Sequence, residues 1–301
     1  MQKIDIIIFG VGQIGQQISK ELCELKQHGW LELNKLYLCG RDLKKMDAIR
    51  EDLLSSLLLS NKRKGIKTSK YLLVEDMLVA CDLTQAIEAD VAILSFGVPI
   101  QTISEEVLHE SQRDRLFNEH SSILDSLLPL IKGKNGEYPW LINIVNPVEK
   151  ICQYIAQKAL CEPEKIVGCS AELDAARGLK YYLRDGADLD EFCQSFYIGQ
   201  HDEQGKYLMH NSKSGQNIDL ENTLAKYANK EGGYILYHKG TAPVFGPSES
   251  AISLIVALCG RTAPTVMSCS VWSAEQYDFY SSPVNVSHFK IESLALQALN
   301  F

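Results

Sequence analysis

The chain has 301 residues, of which 46% are apolar and 23% charged, and a net charge of −8. That is enough chain for two domains, or one large one, around a substantial core. The acidic balance sets nucleic acid aside as a partner, and no apolar segment approaches the ~20 residues that a membrane helix needs.

The apolar run Ile4–Phe9 reads as a buried strand. It begins so near the amino terminus that no signal or transit peptide fits before it, and the compartment is read as cytoplasm. A helix follows over Gln13–His28, then a strand at 36–39 and a helix from Leu43 to about Ser60. The basic cluster at 62–67 reads as a solvated loop. Further buried strands fall at 90–95 and 140–145, on either side of a long helical segment at 113–131. Near-continuous apolar strands alternating with helices predict a parallel sheet covered on both faces and doubly wound. After Asn146-Pro147 the character changes. Helices dominate 148–183, an apolar helical face at 251–258 suits either a core or a subunit interface, and the stretch 264–291 reads as antiparallel strands. The nine cysteines include no CxxC pair and no metal-like spacing, so they read as reduced, mostly buried thiols, and no metal is expected.

Gly10-Val11-Gly12-Gln13-Ile14-Gly15 directly follows the first strand and opens the first helix. In a GxGxxG of this kind Gly10 permits the tight turn, Gly12 lets the backbone approach a pyrophosphate, and Gly15 packs helix on strand. Gln13 and Ile14 begin the helix whose unpaired N–H groups favour phosphate. The fold class is therefore α/β: an amino-terminal Rossmann doubly wound parallel sheet over residues 1–146, and an α+β catalytic domain over 147–301. At the end of the second strand stand Gly40, Arg41 and Asp42. Gly40 would clear space and Arg41 would pair with a 2′-phosphate, which favours NADP; the alternative, NAD, has Asp42 on the ribose with Arg41 merely exposed.

In the second half, Asp174 and Arg177 lie three residues apart in a helical stretch and share a face. By itself such a pair is more often an exposed ion pair. Three features argue otherwise: His201 just past the apolar strand that ends at Gly199, Asn146 at the end of a parallel strand, and Arg113 beyond the turn Gly97-Val98-Pro99. The blocks Gly10 to Gly15, Ala89 to Ile93, Arg113 to Asn118, Asn146 to Val148, Leu173 to Arg177 and Gly199 to His201, in this order and spacing, resemble the lactate/malate dehydrogenase family. The resemblance runs from Gly10 to about Leu258.

It implies a hydride transfer between NAD(P) and a small 2-hydroxy or 2-oxo acid. His201 would be the general acid/base and Asp174 the carboxylate that holds its imidazole. Arg177 would grip the substrate carboxylate and Arg113 would polarise the reacting carbonyl. Asn146 would bond the carbonyl region and the nicotinamide, and Gly97 would join the cofactor-binding set. A homodimer or homotetramer is also implied.

The chain departs from the family pattern in several places. Glu105, Glu106 and Glu110 precede Arg113, with no second arginine before it, which weighs against a dicarboxylate; Arg115 is the nearest substitute. His201 is followed by Asp202-Glu203-Gln204, and Thr241-Ala242-Pro243 is unusual near the pocket floor. Residues 292–300 are a short counterpart of the family's terminal helix. Two other classes remain. One is a non-catalytic dinucleotide-binding sensor or scaffold. The other is a metal-dependent glycosidase on a related fold, disfavoured because Cys169 precedes Ser170 and no cysteine–histidine metal pair is evident. Cys169 itself reads as a small core residue, and His28, His109, His120, His210, His238 and His288 read as surface or loop residues.

Overall fold

The computed structural model describes residues 3–67, 69–84, 86–98, 110–158, 161–185, 193–199, 205–211, 216–220, 222–260 and 263–294. Its first strand, β1 (Ile4–Phe9), is buried at every position, as a central strand covered on both faces must be. Helix α1 (Gln13–His28) ends at Gly29 in the left-handed conformation. Strand β2 (Leu33–Gly40) is longer than its apolar run and leads into α2 (Leu43–Lys64), where Asp42 caps the amino end by accepting from the Lys45 N–H. The basic cluster expected as a loop is largely the last turn of α2. Lys62, Arg63 and Lys64 sit where the helix dipole favours cations, and Gly65 closes the helix at φ +68°.

The chain continues through α3 (Ser69–Glu75), β3 (Leu78–Asp82), β4 (Ile87–Ala89) and β5 (Val91–Leu94) to α4 (Glu110–Leu127). Pro129 then forces a 3-10 turn before β6 (Ile131–Gly133) and β7 (Trp140–Asn143). Next come α5 (Val148–Lys158), β8 (Ile166–Gly168) and α6 (Ser170–Arg184). Helices α5 and α6 dominate 148–183 as expected, and strand β8 lies between them unforeseen. It has only three residues, too short for a period to show, yet it is fully buried and pairs with β7 in parallel.

Strands β9 (Cys193–Ile198), β10 (Lys206–Asn211) and β11 (Gln216–Asp219) form a separate antiparallel sheet. Two helices follow, α7 (Asn222–Lys239) and α8 (Phe245–Cys259). The last strands are β12 (Thr265–Ser273), β13 (Asp278–Ser287) and β14 (Lys290–Ser293). The antiparallel tail is as expected, although Glu292 lies in β14 rather than at the start of a helix. The apolar stripe of α8 is core: Ala251, Leu254, Ile255 and Leu258 are buried, and the helix packs on α1.

The main sheet has nine strands in the order β14-β13-β12-β8-β7-β5-β1-β2-β3. The six from β8 to β3 are mutually parallel, and β12 joins them antiparallel at one residue pair, Ser270 with Gly168. Connections from β1 run outward through β2 to β3, and those from β5 run the other way. The crevice between the carboxyl ends of β1 and β5 is thus the switch point at which sheets of this kind hold ligands. The sheet continues beyond residue 146 through β8 and the three tail strands. Among the described residues, no helix is long and apolar enough to cross a membrane.

Helix α6 lies against β9 and β10 because Gly178 has no side chain: a Cβ there would stand 2.4 Å from the Tyr207 ring. Alanine normally improves a helix by up to about 1 kcal/mol over glycine, whereas overpacking costs about 1–3 kcal/mol. Gly178→Ala is therefore expected to lower the thermal unfolding midpoint; an unchanged or raised midpoint would contradict this packing.

Candidate active site

At the carboxyl end of β1, two of the three motif glycines have a steric reason within the protein. Gly10 is at φ +92°, and a Cβ on it would fall 2.3 Å from the Phe96 backbone. At Gly15 a Cβ would stand 2.6 Å from the Gly10 carbonyl oxygen, so α1 could not approach the loop. At Gly12 a Cβ would meet nothing within 4 Å. Gly12 also precedes the first turn of α1, which has neither a side-chain cap nor an acidic residue. The N–H groups of that turn are therefore uncovered toward the outside, a cradle that fits a diphosphate.

The second-strand residues are arranged differently from expectation. The space beside Gly40 is taken by Met46 of α2, whose sulfur would lie 2.6 Å from a Cβ, so the missing side chain makes room for the core. Arg41, Lys44 and Lys45 are exposed, and Asp42 is engaged as the α2 cap. Gly97, past β5, is exposed with open space around it.

A cavity of about 170 Å³ opens beside α1, on the side of the sheet where β7 and β8 end. That volume suits a compact organic molecule and not a whole dinucleotide. Arg113, Asn146, Asp174 and Arg177 all line it, together with Ile14 of the glycine loop, so segments far apart in the chain converge on one cavity.

Each side chain is positioned by a short local device. Asn146 sits in the loop after β7, which is shaped by the buried Asn143. The Asn143 amide donates to the Val145 and Val148 carbonyls, and its Oδ1 accepts from the Val145 N–H at 3.0 Å. Asp174 and Arg177 lie about one and two turns into α6, which starts directly past β8. Glu149, in the first turn of α5, accepts from Ser270 and Ser281 on β12 and β13 at 2.8 and 3.0 Å. That ties the Asn146 loop to the tail strands. Ser281 in turn exchanges both backbone hydrogen bonds with Gly199, whose φ of +126° suits glycine alone. His201, two residues on, lies outside the described residues, as do Glu105, Glu106, His109 and Asp202-Glu203-Gln204.

The Asp174–Arg177 pair is buried, at 2% and 6% exposure, which removes the reading of an exposed ion pair. Arg177 Nη1 donates to Asp174 Oδ1 at 2.8 Å. Its Nε lies 3.8 Å from a Glu231 carboxylate oxygen, too far for a hydrogen bond, and has no other partner. Glu231 is also paired with Lys180. The Ser170 hydroxyl, on the same cavity wall, is likewise buried with no hydrogen-bond partner. Two buried polar groups without a hydrogen-bond partner among the described residues, on side chains that line one cavity, suit a polar ligand. Arg115, by contrast, is exposed, bonds Glu119 at 2.8 Å and is not among the cavity residues.

Much of the remaining lining is apolar: Leu116, Leu173, Leu236, Ala242, Pro243 and Pro247. Gly232 and Gly233 of α7 complete it opposite Arg177. Sequence reading passed over this pair, although two glycines in the interior of an 18-residue helix are a signal in themselves. A Cβ on Gly232 would lie 3.4 Å from Arg177 Nη2, an ordinary contact. The fold therefore tolerates a side chain there, and the vacancy serves the cavity. Two histidines taken for surface residues are buried instead, His120 at 2% and His210 at 1%; His28, His238 and His288 are exposed. Cys169 is a buried core residue, and burial pushes its thiol up. Among the described residues, no cluster of histidine, cysteine and carboxylate could hold a metal.

Glu172, in the first turn of α6, accepts from the Ser268 N–H at 2.7 Å, and burial pushes its carboxyl up to about 7. A carboxyl raised in the folded state binds more protons there than in the unfolded chain, so it lowers stability as pH rises from about 4.5 to 7. Glu172→Gln keeps an acceptor for Ser268 without the charge. Its unfolding midpoint is expected to gain on the wild type at pH 8 and not at pH 4.5; an equal difference at both pH values would contradict this.

No known family profile matches the chain. Malate dehydrogenase of Helicobacter hepaticus (strain ATCC 51449 / 3B1) is 24% identical over 284 residues, covering 87% of each chain. Malate dehydrogenase of Cryptosporidium parvum superposes with a TM-score of 0.72 at 20% identity, over 99% of this chain and 94% of that one. Lactate dehydrogenase of the same organism, solved with lactic acid and nicotinamide adenine dinucleotide, gives 0.74 at 15% identity over 99% and 93%. The overall architecture is therefore the one that the sequence resemblance implied.

Proposed function

From a chain that has the fold of the malate and lactate dehydrogenases and a likeness to them in sequence, we infer a nicotinamide-dinucleotide-dependent oxidoreductase acting on a small 2-hydroxy or 2-oxo acid. The observation that carries this reading is the buried Arg177 guanidinium, paired with Asp174 and facing a small cavity that shares Ile14 with the dinucleotide loop. A guanidinium so held takes a carboxylate through two parallel bonds.

The dinucleotide, when bound, supplies or accepts the hydride. Arg177 orients the acid, and Arg113, reaching from α4, stabilises the charge that builds on the carbonyl oxygen. Asn146, which lines the cavity, would bond the carbonyl region and the nicotinamide. His201 gives its proton to the new hydroxyl in reduction and takes it back in oxidation, with Asp174 accepting from the other ring nitrogen. In this reading residues 1–146 hold the dinucleotide through Gly10, Gly12, Gln13, Ile14, Gly15 and Gly97, and 147–301 supply most of the substrate groups.

The exposed Arg41, with Asp42 engaged as a helix cap, supports NADP over NAD, while the Cryptosporidium enzyme holds the dinucleotide without the extra phosphate. Gly40 adds no support, since Met46 fills the space beside it. The assembly is a homodimer or homotetramer, and the compartment is the cytoplasm.

A single cation serves each end of the reacting group, since Arg113 and Arg177 are the only cationic side chains in the described lining. The stretch 99–109 contains no lysine or arginine, only Glu105 and Glu106 as charges. That supports a substrate whose side chain is uncharged.

The test is reduction of pyruvate, oxaloacetate and bulkier 2-oxo acids with NADH and NADPH. Turnover of at least one uncharged 2-oxo acid is expected, with NADPH preferred. Dinucleotide binding without turnover of any acid would favour the sensor reading. Arg177→Lys loses the fork and is expected to lower kcat/KM by about thirtyfold or more, equal to about 2 kcal/mol or more. Gly232→Ala should raise the unfolding midpoint, because helix propensity improves by up to about 1 kcal/mol without a clash. The same change should reduce kcat/KM for bulky acids at least tenfold and for pyruvate by less than threefold. A uniform loss across acids would count against a side-chain pocket at Gly232.

A further inference from the structure

His120 is a buried titratable group that the proposed chemistry does not use. It projects from α4 between the loops that leave β5 and β7. Its Nε2 lies 3.3 Å from the Val98 backbone nitrogen and its Nδ1 lies 2.6 Å from the Asn146 carbonyl oxygen. The Val98 N–H can only donate and the Asn146 carbonyl can only accept. The ring is therefore neutral, with its proton on Nδ1 and a bare Nε2. The edge of one ring packs on the face of the other where His120 meets Phe96, with centroids 5.9 Å apart.

Val98 follows Gly97, and Asn146 lines the cavity. One imidazole thus spans the two strand-end loops that carry a cofactor residue and a substrate residue of the proposed site. Its distance from the Asn146 carbonyl is at the short end of the hydrogen-bond range.

We propose that His120 is a positioning residue: its neutral ring fixes the spacing of the Val98 and Asn146 loops, and so sets where the Asn146 side chain stands over the cavity. The proposal rests on the dehydrogenase reading for its consequence in catalysis, and on geometry alone for the tie itself. Protonation of Nε2 would set two N–H groups against each other at Val98, so the tie fails in acid. Burial holds the ring below the ordinary histidine range, against the Asn146 carbonyl and Glu119, which favour the charged form. Glu119 is on the same helix; among the described residues, the other elements packed on the ring bring Phe96, Val98 and Asn146, none of them charged.

The test compares wild type, His120→Asn and His120→Phe. In the reduction direction the proposed His201 acid must be protonated, so its own titration removes activity at high pH. A loss of kcat/KM on the acid side of the ordinary histidine range therefore reports His120 instead. The wild type is expected to show that acid limb, and His120→Asn to lack it. His120→Phe is expected to lower kcat at least tenfold while dinucleotide affinity, read by nucleotide fluorescence, stays within threefold. In wild type, nitrogen NMR at pH 7.5 should show a protonated Nδ1 and a bare Nε2. An unchanged acid limb in His120→Asn, or a ring protonated on Nε2 at pH 7.5, overturns the proposal, the second even if the phenylalanine variant fails to fold. If the wild type reduces no 2-oxo acid, the dehydrogenase reading falls. Displaced Val98 and Asn146 amide resonances in His120→Asn then uphold the tie, and unmoved ones overturn it.

Discussion

A guanidinium cannot be taken out of water alone. Moving an unpaired charge into a protein interior costs several kcal/mol, and breaking a buried pair costs about 3–5 kcal/mol. Arg177 is buried at the carboxyl side of the main sheet, so everything around it must compensate that charge. Asp174 does so at 2.8 Å from the same helix face, and Glu231 supplies a second, more distant carboxylate from α7. The compensation is incomplete, because Nε has no hydrogen-bond partner. A cation that is held in place, partly satisfied and turned to a cavity has binding capacity left for a small anion. That is the physical core of the functional reading.

The sheet explains why this cavity lies beside a dinucleotide loop. Strand order places the ends of β1 and β5 at the switch point, and β7 and β8 follow on one side. Helix α6 starts where β8 stops, so Asp174 and Arg177 are delivered to the same edge as Gly12 and Asn146. Gly10 and Gly15 let α1 come close enough for Ile14 to share the cavity wall. The tail strands contribute indirectly. Ser270 and Ser281 hold Glu149, and Ser268 bonds both Glu172 and the Tyr197 N–H, so β9 and the helices behind the site are braced against one another.

The alternation of strands and helices was legible because buried parallel strands leave continuous apolar runs. The glycine loop was legible because its three glycines fall at a fixed spacing after a strand and before a helix, two of them where a Cβ would clash. The Asp174–Arg177 pair could be read as sharing a face, but its burial could not, since burial comes from α7 and the second sheet. Strand β8 escaped notice because three residues carry no period. His120 escaped because its partners are backbone groups, which leave no mark in the side-chain pattern. Gly40 shows the opposite error: a missing side chain was assigned to a ligand, when a core methionine from the next helix occupies the space. At Gly232 the reverse holds, and a glycine without steric cause in the fold was the overlooked sign of a cavity.

The most direct measurement is a crystal structure of the protein with a nicotinamide dinucleotide and a non-reducible 2-oxo acid analogue. The expected result has the diphosphate on the N–H groups after Gly12 and the analogue's carboxylate on Arg177, with the nicotinamide ring between Ile14 and Asn146. A dinucleotide bound away from the glycine loop, or an analogue whose carboxylate leaves Arg177 untouched, would contradict the assignment of this cavity to hydride transfer.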